Sequence, residues 1–418
     1  MQYYDNGVSE ASLLNDGQAQ LINELTEWFH SWENGNRIRN HPQWYAYSGA
    51  AGTGKTFAVK AFIDSLGLQE DEYMCCAYVG KAVLNLQKHD LPACTIHSLI
   101  YHTVIEKIPA DDPDGMKYKL AMRFILKDHL DPNLRLIICD EATMVNNDMR
   151  DKMLSFGLPI IFIGDMNQLP PVFGESEVMA FPNFTLTQIM RTAEDDPIVQ
   201  LSQMVLHDIP YEYGSYGMCQ VVDHHAIDKS LLKDFDVILC GKNATRDKMN
   251  RSVIFDVLHR PDNIPFLGAK VVNRQNNWDI AVDGVSLTNG LMGEITNISK
   301  SRSYLGYYKI DFRPDFMDSE FEDLKIDRQY IRADYETRKN FGISRFEKFE
   351  YAYAITVHIS QGSEWARVLF LDEPFWDKEL TKKLRYTAIT RATSQIEIVT
   401  SHNVSHWDEY NAARRRYM

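Results

Sequence analysis

The sequence predicts an α/β fold that is built on two parallel β-sheets. Apolar runs of four to six residues recur along the chain, and most of them lack the alternation of a half-exposed strand. Amphipathic stretches with helical spacing separate most of these runs, which is the pattern of parallel sheets covered on both faces. The chain has 418 residues, more than one hydrophobic core usually supports, so we expect more than one domain.

The predicted strands are short and fall into two groups along the chain. They are residues 44–47, 74–79, 136–139, 160–163, 237–240, 368–371 and 396–399. The predicted helices that separate them include residues 18–32, 57–66, 81–88 and 247–258. We therefore place the first sheet in about residues 43–192 and the second in about residues 193–285 plus 350–418.

Two stretches interrupt this alternation. Residues 101–131 are rich in Asp, Pro and Lys and have a turn signal at 111–115, which indicates a small insertion in the first domain. Residues 285–350 have short β-type runs followed by a highly charged segment, which indicates a small β subdomain. We therefore expect domains at 1–192 and 193–418, with one insertion in each.

Composition and charge narrow the classes of function. The formal net charge of −14 argues against a basic surface over the whole protein, so any nucleic-acid path must be a local groove. No run approaches the roughly 18 uncharged apolar residues of a membrane helix, and residues 1–5 lack the start of an export signal, so we expect a cytoplasmic protein. Buried thiols are expected rather than zinc ligands or disulfides at Cys75, Cys76, Cys94, Cys139, Cys219 and Cys240.

A phosphate-binding loop is the strongest motif in the chain. The string Gly49-Ala50-Ala51-Gly52-Thr53-Gly54-Lys55-Thr56 stands between a predicted strand and a predicted helix, as this chemistry requires. Its glycines allow successive backbone N–H groups to surround phosphates, while Lys55 reaches the β and γ oxygens and the Thr56 hydroxyl binds Mg²⁺. The sequence therefore predicts a nucleotide site with Mg²⁺.

Two adjacent carboxylates, Asp140 and Glu141, follow the predicted strand 136–139. In a phosphate-loop enzyme the first holds Mg²⁺, commonly through water, and the second orients the attacking water. The next predicted strand ends in a string that contains Gln168, an amide suited to sensing the γ-phosphate. These side chains predict hydrolysis of the bound nucleotide.

Together with further strings, these residues resemble the motifs of superfamily 1 helicases, and most of all the RecD-like and Dda-like branch that moves 5′ to 3′ on single-stranded DNA. The resemblance runs from Gln18 to Arg391, nearly the whole chain. The matching strings are Asp16-Gly17-Gln18, the phosphate loop, Thr95-Ile96-His97-Ser98-Leu99, Asp140-Glu141-Ala142-Thr143-Met144, the string from Gly164 to Pro171, Leu186-Thr187-Gln188-Ile189-Met190-Arg191, the string from Thr356 to Glu364, and the string from Leu384 to Ala392.

The resemblance implies a role for each matching residue, with ATP and Mg²⁺ as cofactors. Gln18 reads the adenine, Arg191 touches the γ-phosphate, and Arg391 is a second arginine finger. Gly362 and Glu364 join the nucleotide site to the DNA grip. The residues expected to contact DNA are Lys81, Thr95, His97, Thr356, His358 and Ser360, with structural roles as the alternative for the two histidines.

The resemblance also implies the architecture: two RecA-like motor domains, a strand-separating pin from residues 101–131 and a small SH3-like β-barrel from residues 285–350. One departure stands out. The family usually has Pro-Thr before Gly-Lys-Ala, whereas this chain has Tyr78-Val79, which removes a hydroxyl that could bond a DNA phosphate and leaves Lys81 for this contact. Either base stacking or core packing is open to Trp44, Phe173, Trp278, Trp365 and Trp376.

We therefore expect a monomeric, ATP-dependent 5′-to-3′ DNA helicase that acts on single-stranded and forked DNA, with roles in replication or recombination in a bacterial or phage-infected cell. One alternative is a translocase that removes proteins from DNA or acts on RNA. Another is a nucleotide-switched binding module, for which we would expect a damaged Glu141 or a missing arginine finger.

Overall fold

The computed structural model describes residues 14–35, 43–109, 118–170, 176–190, 195–223, 229–260, 264–283, 285–299, 306–342, 344–373 and 375–400. These residues form two compact units, and the chain passes between the units at 102/103, 124/125 and 200/201.

The N-terminal half of the chain alternates helices with short strands around one hairpin. In order, its elements are α1 (Asp16–Glu33), β1 (Trp44–Gly49), α2 (Lys55–Leu66), β2 (Tyr73–Ala77), α3 (Gly80–Lys88), β3 (Ala93–Thr95), α4 (Ile96–Ile100), β4 (Tyr101–Pro109), β5 (Tyr118–Leu126), β6 (Leu136–Asp140), α5 (Asn147–Leu154), β7 (Ile160–Gly164), β8 (Phe184–Leu186) and α6 (Pro197–Leu206). Six strands form one sheet in the order β3-β2-β6-β7-β1-β8, and every pairing in it is parallel. Within the described residues, the strands β4 and β5 form a separate two-stranded sheet.

Apolar side chains cover both faces of this first sheet, which explains why its strands lack alternation. On one face Leu25 and Phe29 of α1 pack with Phe62 of α2 in a single buried cluster. On the other face Ile96 of α4 and Met153 of α5 belong to a second cluster. The carboxyl ends of the strands are thereby held at fixed positions along one edge of the sheet.

The C-terminal half contains a second parallel sheet and a separate antiparallel one. In order, its elements are β9 (Gly214–Tyr216), β10 (Cys219–Asp223), β11 (Val237–Cys240), α7 (Asn243–Ser252), β12 (Lys270–Asn273), β13 (Asn277–Val282), β14 (Val285–Leu287), β15 (Met292–Ser299), β16 (Tyr307–Pro314), β17 (Phe321–Asp327), α8 (Arg328–Arg332), α9 (Tyr335–Lys339), β18 (Phe349–Tyr351), β19 (Ala354–Thr356), β20 (Trp365–Asp372), α10 (Lys378–Ile389) and β21 (Ala392–Thr400). The second sheet has the order β19-β11-β20-β21-β10-β9 and is parallel except for β9.

The antiparallel sheet has the strand order β17-β16-β15-β12-β18. Phe312, Phe321 and Phe349 are buried in its core, with Phe312 in edge contact with Phe349 at a ring-centroid distance of 5.1 Å. Because β12 and β18 belong to it, this sheet extends to residues on both sides of the predicted insertion at 285–350.

The predicted fold class is confirmed: the protein is α/β, with two parallel sheets and a smaller β-sheet inserted in the second half. The predicted strand 74–79 is shorter than expected, because Val79 is already the N-cap residue of α3. The predicted helix 247–258 changes at Val253 into a π-helical turn that ends at Val257. The boundary between residues 192 and 193 stays a prediction.

The thiols and the membrane prediction can be compared with the structure directly. All six cysteines are free thiols, five of them buried and Cys94 partly buried. Over the ranges that the structure describes, no group of three or more His, Cys, Asp and Glu side chains is placed to hold a metal ion. Across the same ranges, no helix is both long enough and apolar enough to cross a membrane.

Candidate functional site

The phosphate loop leaves the carboxyl end of β1 and leads directly into α2. Gly52 and Gly54 have φ values of +80° and +74°, a region that favours glycine. The Lys55 ammonium lies over the loop, where Nζ donates to the Gly49 carbonyl at 2.7 Å and to the Ala50 carbonyl at 3.4 Å. Phosphate oxygens are stronger acceptors than these carbonyls, so the loop holds its lysine where an anion can compete for it.

Gln18 contacts the phosphate loop, and its role in reading adenine stays a prediction, since both ends of its side-chain amide are bonded to Asn15 and Thr53. It is fully buried and forms a capping box with Asn15 at the start of α1, with bonds of 3.1 and 2.9 Å. Its side-chain Nε2 donates to the Thr53 carbonyl at 3.0 Å. A Cβ added at Gly54 would lie 2.6 Å from this Nε2, so the glycine is required by close packing as well as by its φ.

The acidic pair lies at the end of β6, two strands away from β1 in the sheet. The Asp140 carboxylate accepts the backbone N–H of Glu141 at 2.8 Å, and Glu141 has the left-handed φ of +52°. Burial raises the pKa of Tyr47 on β1 well above its usual value, and the charge of Asp140 raises it further. The charge of Asp140 is therefore felt at the strand that leads into the phosphate loop.

The strand between them, β7, ends in the segment that contains Gln168. The Ser48 hydroxyl of β1 accepts the Met166 N–H at 3.0 Å, which ties this segment to the strand of the phosphate loop. Asp165 accepts from both the backbone and the side chain of Asn167 at 3.0 Å. Gln168 is 6% exposed, and its Oε1 is buried without a hydrogen-bond partner within the described residues. A buried polar atom of this kind calls for a partner such as a water or a ligand.

These residues fit a magnesium nucleotide. The first turn of α2 has no side-chain cap, so its free N–H groups lie next to the loop, which is the arrangement that binds phosphate. Thr56 and Asp140 offer the oxygen atoms that Mg²⁺ prefers. The uncapped α2 and the Gln168 Oε1, which has no hydrogen-bond partner among the described residues, are the observations that support this fit.

The predicted DNA-contact residues of the first unit lie at the same edge of the sheet. Ala77 at the end of β2 pairs with both Thr95 and Asp140, which brings Thr95 within one strand of the acidic pair. The Thr95 hydroxyl caps α4 by accepting the Ser98 N–H at 3.2 Å. Burial lowers the pKa of His97, and the charge of Lys152 lowers it further. Lys81 lies in the first turn of α3.

In the second unit, Thr356 ends β19 and opens a tight turn. Ser360 is fully buried, and its hydroxyl donates to the Val357 carbonyl at 2.8 Å. The expected contact between this hydroxyl and DNA is therefore not supported, because the hydroxyl holds the turn and does not reach the surface. Thr356 is only 6% exposed, and burial lowers the pKa of the half-buried His358.

The same turn continues to Gly362, which has φ of +69°, and to the exposed Glu364. Arg391 packs against this segment: its Nη1 donates to the Ser363 carbonyl at 3.2 Å. Its other nitrogens donate to the Thr387 carbonyl at 3.1 Å and to the Thr390 hydroxyl at 3.2 Å. The guanidinium is thus satisfied within its own unit and is 3% exposed.

Some of the expected residues lie outside the part of the chain that the structure describes. Arg191 and Phe173 lie outside the described residues, as does the side chain of Trp278. Trp44 packs in the core and does not stack on a base. Its ring centroid lies 5.9 Å from that of Phe162, in the buried cluster that contains Ile96 and Met153.

Other residues were missed by sequence reasoning. Met190 donates its N–H to the Gly52 carbonyl at 2.9 Å, and its Sδ would lie 2.4 Å from a Cβ at Gly54. Asp372 accepts from Arg385 at 2.9 Å and from Tyr211 at 2.6 Å. The position of Met190 directly before Arg191 was a usable signal, whereas no local pattern connects Asp372 to Tyr211.

Two family models and several known proteins are similar to this chain. A model of the AAA domain matches residues 33–212, and a model of the UvrD-like helicase C-terminal domain matches residues 351–399. The chain is 27% identical to an ATP-dependent RecD2 DNA helicase of Deinococcus radiodurans, with 96% of this chain and 51% of that protein covered. It is 26% identical to the ATP-dependent DNA helicase dda of Enterobacteria phage T4, with 83% and 91% covered.

Further similarities point the same way. The ATP-dependent DNA helicase Pif1 of Campylobacter jejuni is 24% identical, with 83% of this chain and 86% of that protein covered. A solved structure of Pif1 helicases at forked double-stranded DNA has the same fold, with a TM-score of 0.51, 17% identity, and 97% and 98% of the two chains covered. The chain spans 51% of the Deinococcus relative and 38% of another from Methanocaldococcus jannaschii. The resemblance to superfamily 1 helicases of the RecD-like and Dda-like branch is confirmed.

Proposed function

We propose that this chain is an ATP-dependent DNA helicase that moves 5′ to 3′ along single-stranded DNA. The observation that carries the proposal is the carboxyl edge of the first sheet, where Lys55, the Asp140-Glu141 pair and the buried amide of Gln168 follow three neighbouring strands. Similarity to named DNA helicases over most of the chain supports the same activity.

The residues of this edge divide the work of hydrolysis. Backbone N–H groups of the loop and Lys55 bind and orient the phosphates, because a positioned cation and fixed dipoles neutralise the charge of the transferred group. Thr56 and Asp140 would hold Mg²⁺, which would supply further positive charge at the phosphates. Glu141 orients the attacking water, and Gln168 hydrogen-bonds near the γ-phosphate.

Two arginines complete the proposed machinery. Arg191 and Arg391 stabilise negative charge on the transferred phosphoryl group, as arginine fingers do. Since Arg391 already donates to Ser363 and Thr387, it must exchange these bonds to act. Ligand-dependent exchange of this kind couples turnover to movement, because a ligand shifts an equilibrium only through its different affinity for the two states.

The direction of movement follows from the branch that the motifs resemble. The decisive experiment supplies Mg²⁺ and ATP with a duplex that has a single-stranded tail at either the 5′ or the 3′ end. We expect unwinding of the 5′-tailed duplex only. Preferential unwinding of the 3′-tailed duplex would overturn the proposed direction and leave the motor activity standing.

An ATPase assay with and without single-stranded DNA distinguishes the helicase from its alternatives. DNA-stimulated turnover without strand separation would indicate a translocase that removes bound proteins. Stimulation by RNA instead of DNA would change the proposed substrate. ATP binding without continuous turnover would indicate a nucleotide-switched binding module. Three further properties are proposed from the sequence alone. The protein acts as a monomer, it works in the cytoplasm, and it takes part in replication or recombination.

A further inference from the structure

Three aromatic rings follow one another at the carboxyl edge of the first sheet. The ring centroids of Tyr78 and His97 lie 5.6 Å apart in an edge-on contact, with an interplanar angle of 80°. The centroids of His97 and Tyr101 lie 5.7 Å apart at an angle of 32°. We call Tyr78, His97 and Tyr101 the aromatic row.

The chain path explains why the aromatic row lies beside the nucleotide site. Tyr78 directly follows β2, whose last residue, Ala77, pairs with Asp140 on one side and with Thr95 on the other. His97 is the second residue of α4, and Tyr101 is the first residue of β4 in the hairpin. The aromatic row therefore extends from the strand next to the acidic pair to the base of the hairpin.

Tyr78 is not needed to fill the core. The buried cluster beneath α3 is formed by Ala77, Ala82 and Val83, with Val79 and Ala93 packed against it. Tyr78 is instead 38% exposed, an unusual position for a large ring at a strand end that is otherwise buried. Its ring is thus available to a planar partner from outside the chain.

Two rings of the aromatic row, those of Tyr78 and His97, are uncharged at neutral pH and so are chemically suited to contact nucleobases. Burial raises the pKa of Tyr78, with a further contribution from Tyr101, so its hydroxyl stays protonated at neutral pH. The pKa of His97 is lowered, so the imidazole stays neutral there as well. Uncharged aromatic rings stack on the faces of unpaired bases without regard to sequence.

Lysines close to the aromatic row can contact the phosphates that accompany such bases. Lys127 Nζ donates to the carbonyl of Ser98, the residue after His97, at 2.9 Å. The charge of Lys152 is felt at His97, although this lysine also pairs with Asp148 at 2.6 Å. In a chain with a formal charge of −14, a local group of lysines beside exposed aromatic surface is the combination expected of a single-strand path.

We propose that Tyr78 stacks on an unpaired base of single-stranded DNA, while His97 and Tyr101 fix the position of its ring. This inference rests on the proposed function for the identity of the nucleic acid. It gives the departure at Tyr78-Val79 a physical meaning: the chain lacks the threonine hydroxyl of the family pattern and binds the base in place of the phosphate.

The test removes the Tyr78 ring from the protein and the base from the DNA, separately and together, and measures the affinity in each case. Binding of a fluorescent oligo-dT and of an abasic strand of the same length is measured for the wild type, Tyr78→Ala and Tyr78→Phe. Tyr78→Ala should weaken oligo-dT binding about 5- to 150-fold, which is about 1–3 kcal/mol at about 1.4 kcal/mol per tenfold change. Abasic DNA should bind Tyr78→Ala and the wild type within about twofold of each other, because it has no base to stack.

Two control variants separate stacking from folding. Tyr78→Phe retains the ring and should keep oligo-dT binding within about twofold of the wild type. Phe181→Ala removes an aromatic side chain that is 87% exposed elsewhere in the same unit, and it should change neither affinity. Thermal unfolding of each variant verifies that it is folded.

The outcomes distinguish this inference from the proposed function. Equal loss of affinity for oligo-dT and for abasic DNA would assign Tyr78 a purely structural role and overturn the inference. Unchanged oligo-dT binding by Tyr78→Ala would overturn it as well, while leaving the helicase proposal intact. If the wild type bound no single-stranded DNA at all, the proposed function would fail and this inference with it.

Discussion

The two parallel sheets have the same number of strands, yet they place their polar residues differently. In the first sheet the phosphate loop, the acidic pair and Gln168 all follow the carboxyl ends of strands, as is usual for open parallel sheets. In the second sheet Thr356 lies at a carboxyl end, whereas Arg391 directly precedes the amino end of β21. The rule that functional residues follow the carboxyl ends of parallel strands therefore applies to the first sheet and only partly to the second.

The two units also use their charged residues differently. Around the phosphate loop, Lys55 Nζ donates to the backbone carbonyls of Gly49 and Ala50 and pairs with no carboxylate among the described residues, so its charge is available to an anion. In the second unit, Glu350 on β18 is almost completely buried and lies 2.9 Å from Arg246 of α7, 3.4 Å from Arg274 and 3.7 Å from Arg338 of α9. We infer that charge in the first unit serves a ligand, while this cluster joins the antiparallel sheet to α7.

The largest expected effect tests the first half of that comparison. Lys55→Ala should abolish ATP turnover, because it removes the cation that contacts the phosphates. Glu141→Gln should leave nucleotide binding largely intact and slow turnover by about a thousandfold, because it removes the group that orients water. Steady-state ATPase rates and equilibrium binding of a fluorescent nucleotide provide the measurements. Wild-type turnover in Glu141→Gln would rule out the assigned role of Glu141.

The next effect concerns the arginine that lies in the second sheet. Arg391→Ala should lose about a thousandfold in DNA-stimulated turnover, the usual contribution of an arginine finger, with a much smaller loss of DNA binding. The same result is expected for Arg191→Ala. ATPase rates with and without single-stranded DNA test both variants. Full stimulation in either variant would mean that the arginine is purely structural, and for Arg391 that its bonds to Ser363 and Thr387 are its whole function.

The buried cluster gives the next largest effect, this time on stability. Glu350→Gln should lower the free energy of unfolding of the second unit by about 3–5 kcal/mol, because it leaves the buried Arg246 without its counter-charge, while Arg338 keeps its pair with Asp247. The matched control is Glu336→Gln, which breaks an exposed pair with Lys339 and should cost less than about 1 kcal/mol. Denaturant unfolding measures both, and the turnover of folded Glu350→Gln should stay close to wild type.

The same cluster predicts a pH dependence. Burial alone would raise the pKa of Glu350, but the charges of Arg246, Arg274 and Arg338 outweigh it and hold the pKa below its ordinary value of 4.5. The stabilisation is therefore present above pH 4.5 and is lost as the pH falls through the lower pKa of the folded state. Glu350→Gln should remove this part of the acid sensitivity. An unchanged acid profile would contradict the assignment.

The smallest expected effect is a change in the pKa of a histidine. His97 in the first unit and His358 in the second each follow the end of a strand, and they are expected to respond differently. Both have a pKa below 6.5, but His97 has a neighbouring charge on Lys152, whereas His358 is affected by burial alone. Lys152→Ala should therefore raise the pKa of His97 and leave that of His358 unchanged, as measured by NMR titration. Above pH 6.5 both imidazoles are neutral in the folded and the unfolded protein, and the lowered pKa values cost no free energy of unfolding. As the pH falls below 6.5, the unfolded chain binds protons that the folded protein does not, so the free energy of unfolding decreases.

Much of the fold could be predicted because long apolar runs mark the central strands of both sheets. The strands β3 and β8 have three residues each, too few for any period to be visible, so they could not be predicted. The phosphate loop and the acidic pair could be predicted because their chemistry fixes residue type and spacing along the chain.

Contacts between distant residues could not be predicted from the sequence. Glu350 and Arg246 belong to different strings of charged residues, and nothing local marks them as partners. Motifs predicted that Arg391 matters but not that its guanidinium would be bonded to Ser363, because side-chain conformation depends on packing around it. Likewise, the buried hydroxyl of Ser360 follows from the tight turn and not from its motif.

The left-handed backbone of Glu141 has a consequence for protein engineering. A residue with a side chain pays about 1–2 kcal/mol for this conformation, whereas glycine adopts it freely and asparagine more readily than most. A redesign of this chain for heat resistance would therefore favour glycine or asparagine at position 141. The redesigned protein would melt at a higher temperature and would lack the carboxylate proposed to orient water. At this residue, a high melting temperature and fast ATP turnover are therefore opposing design goals.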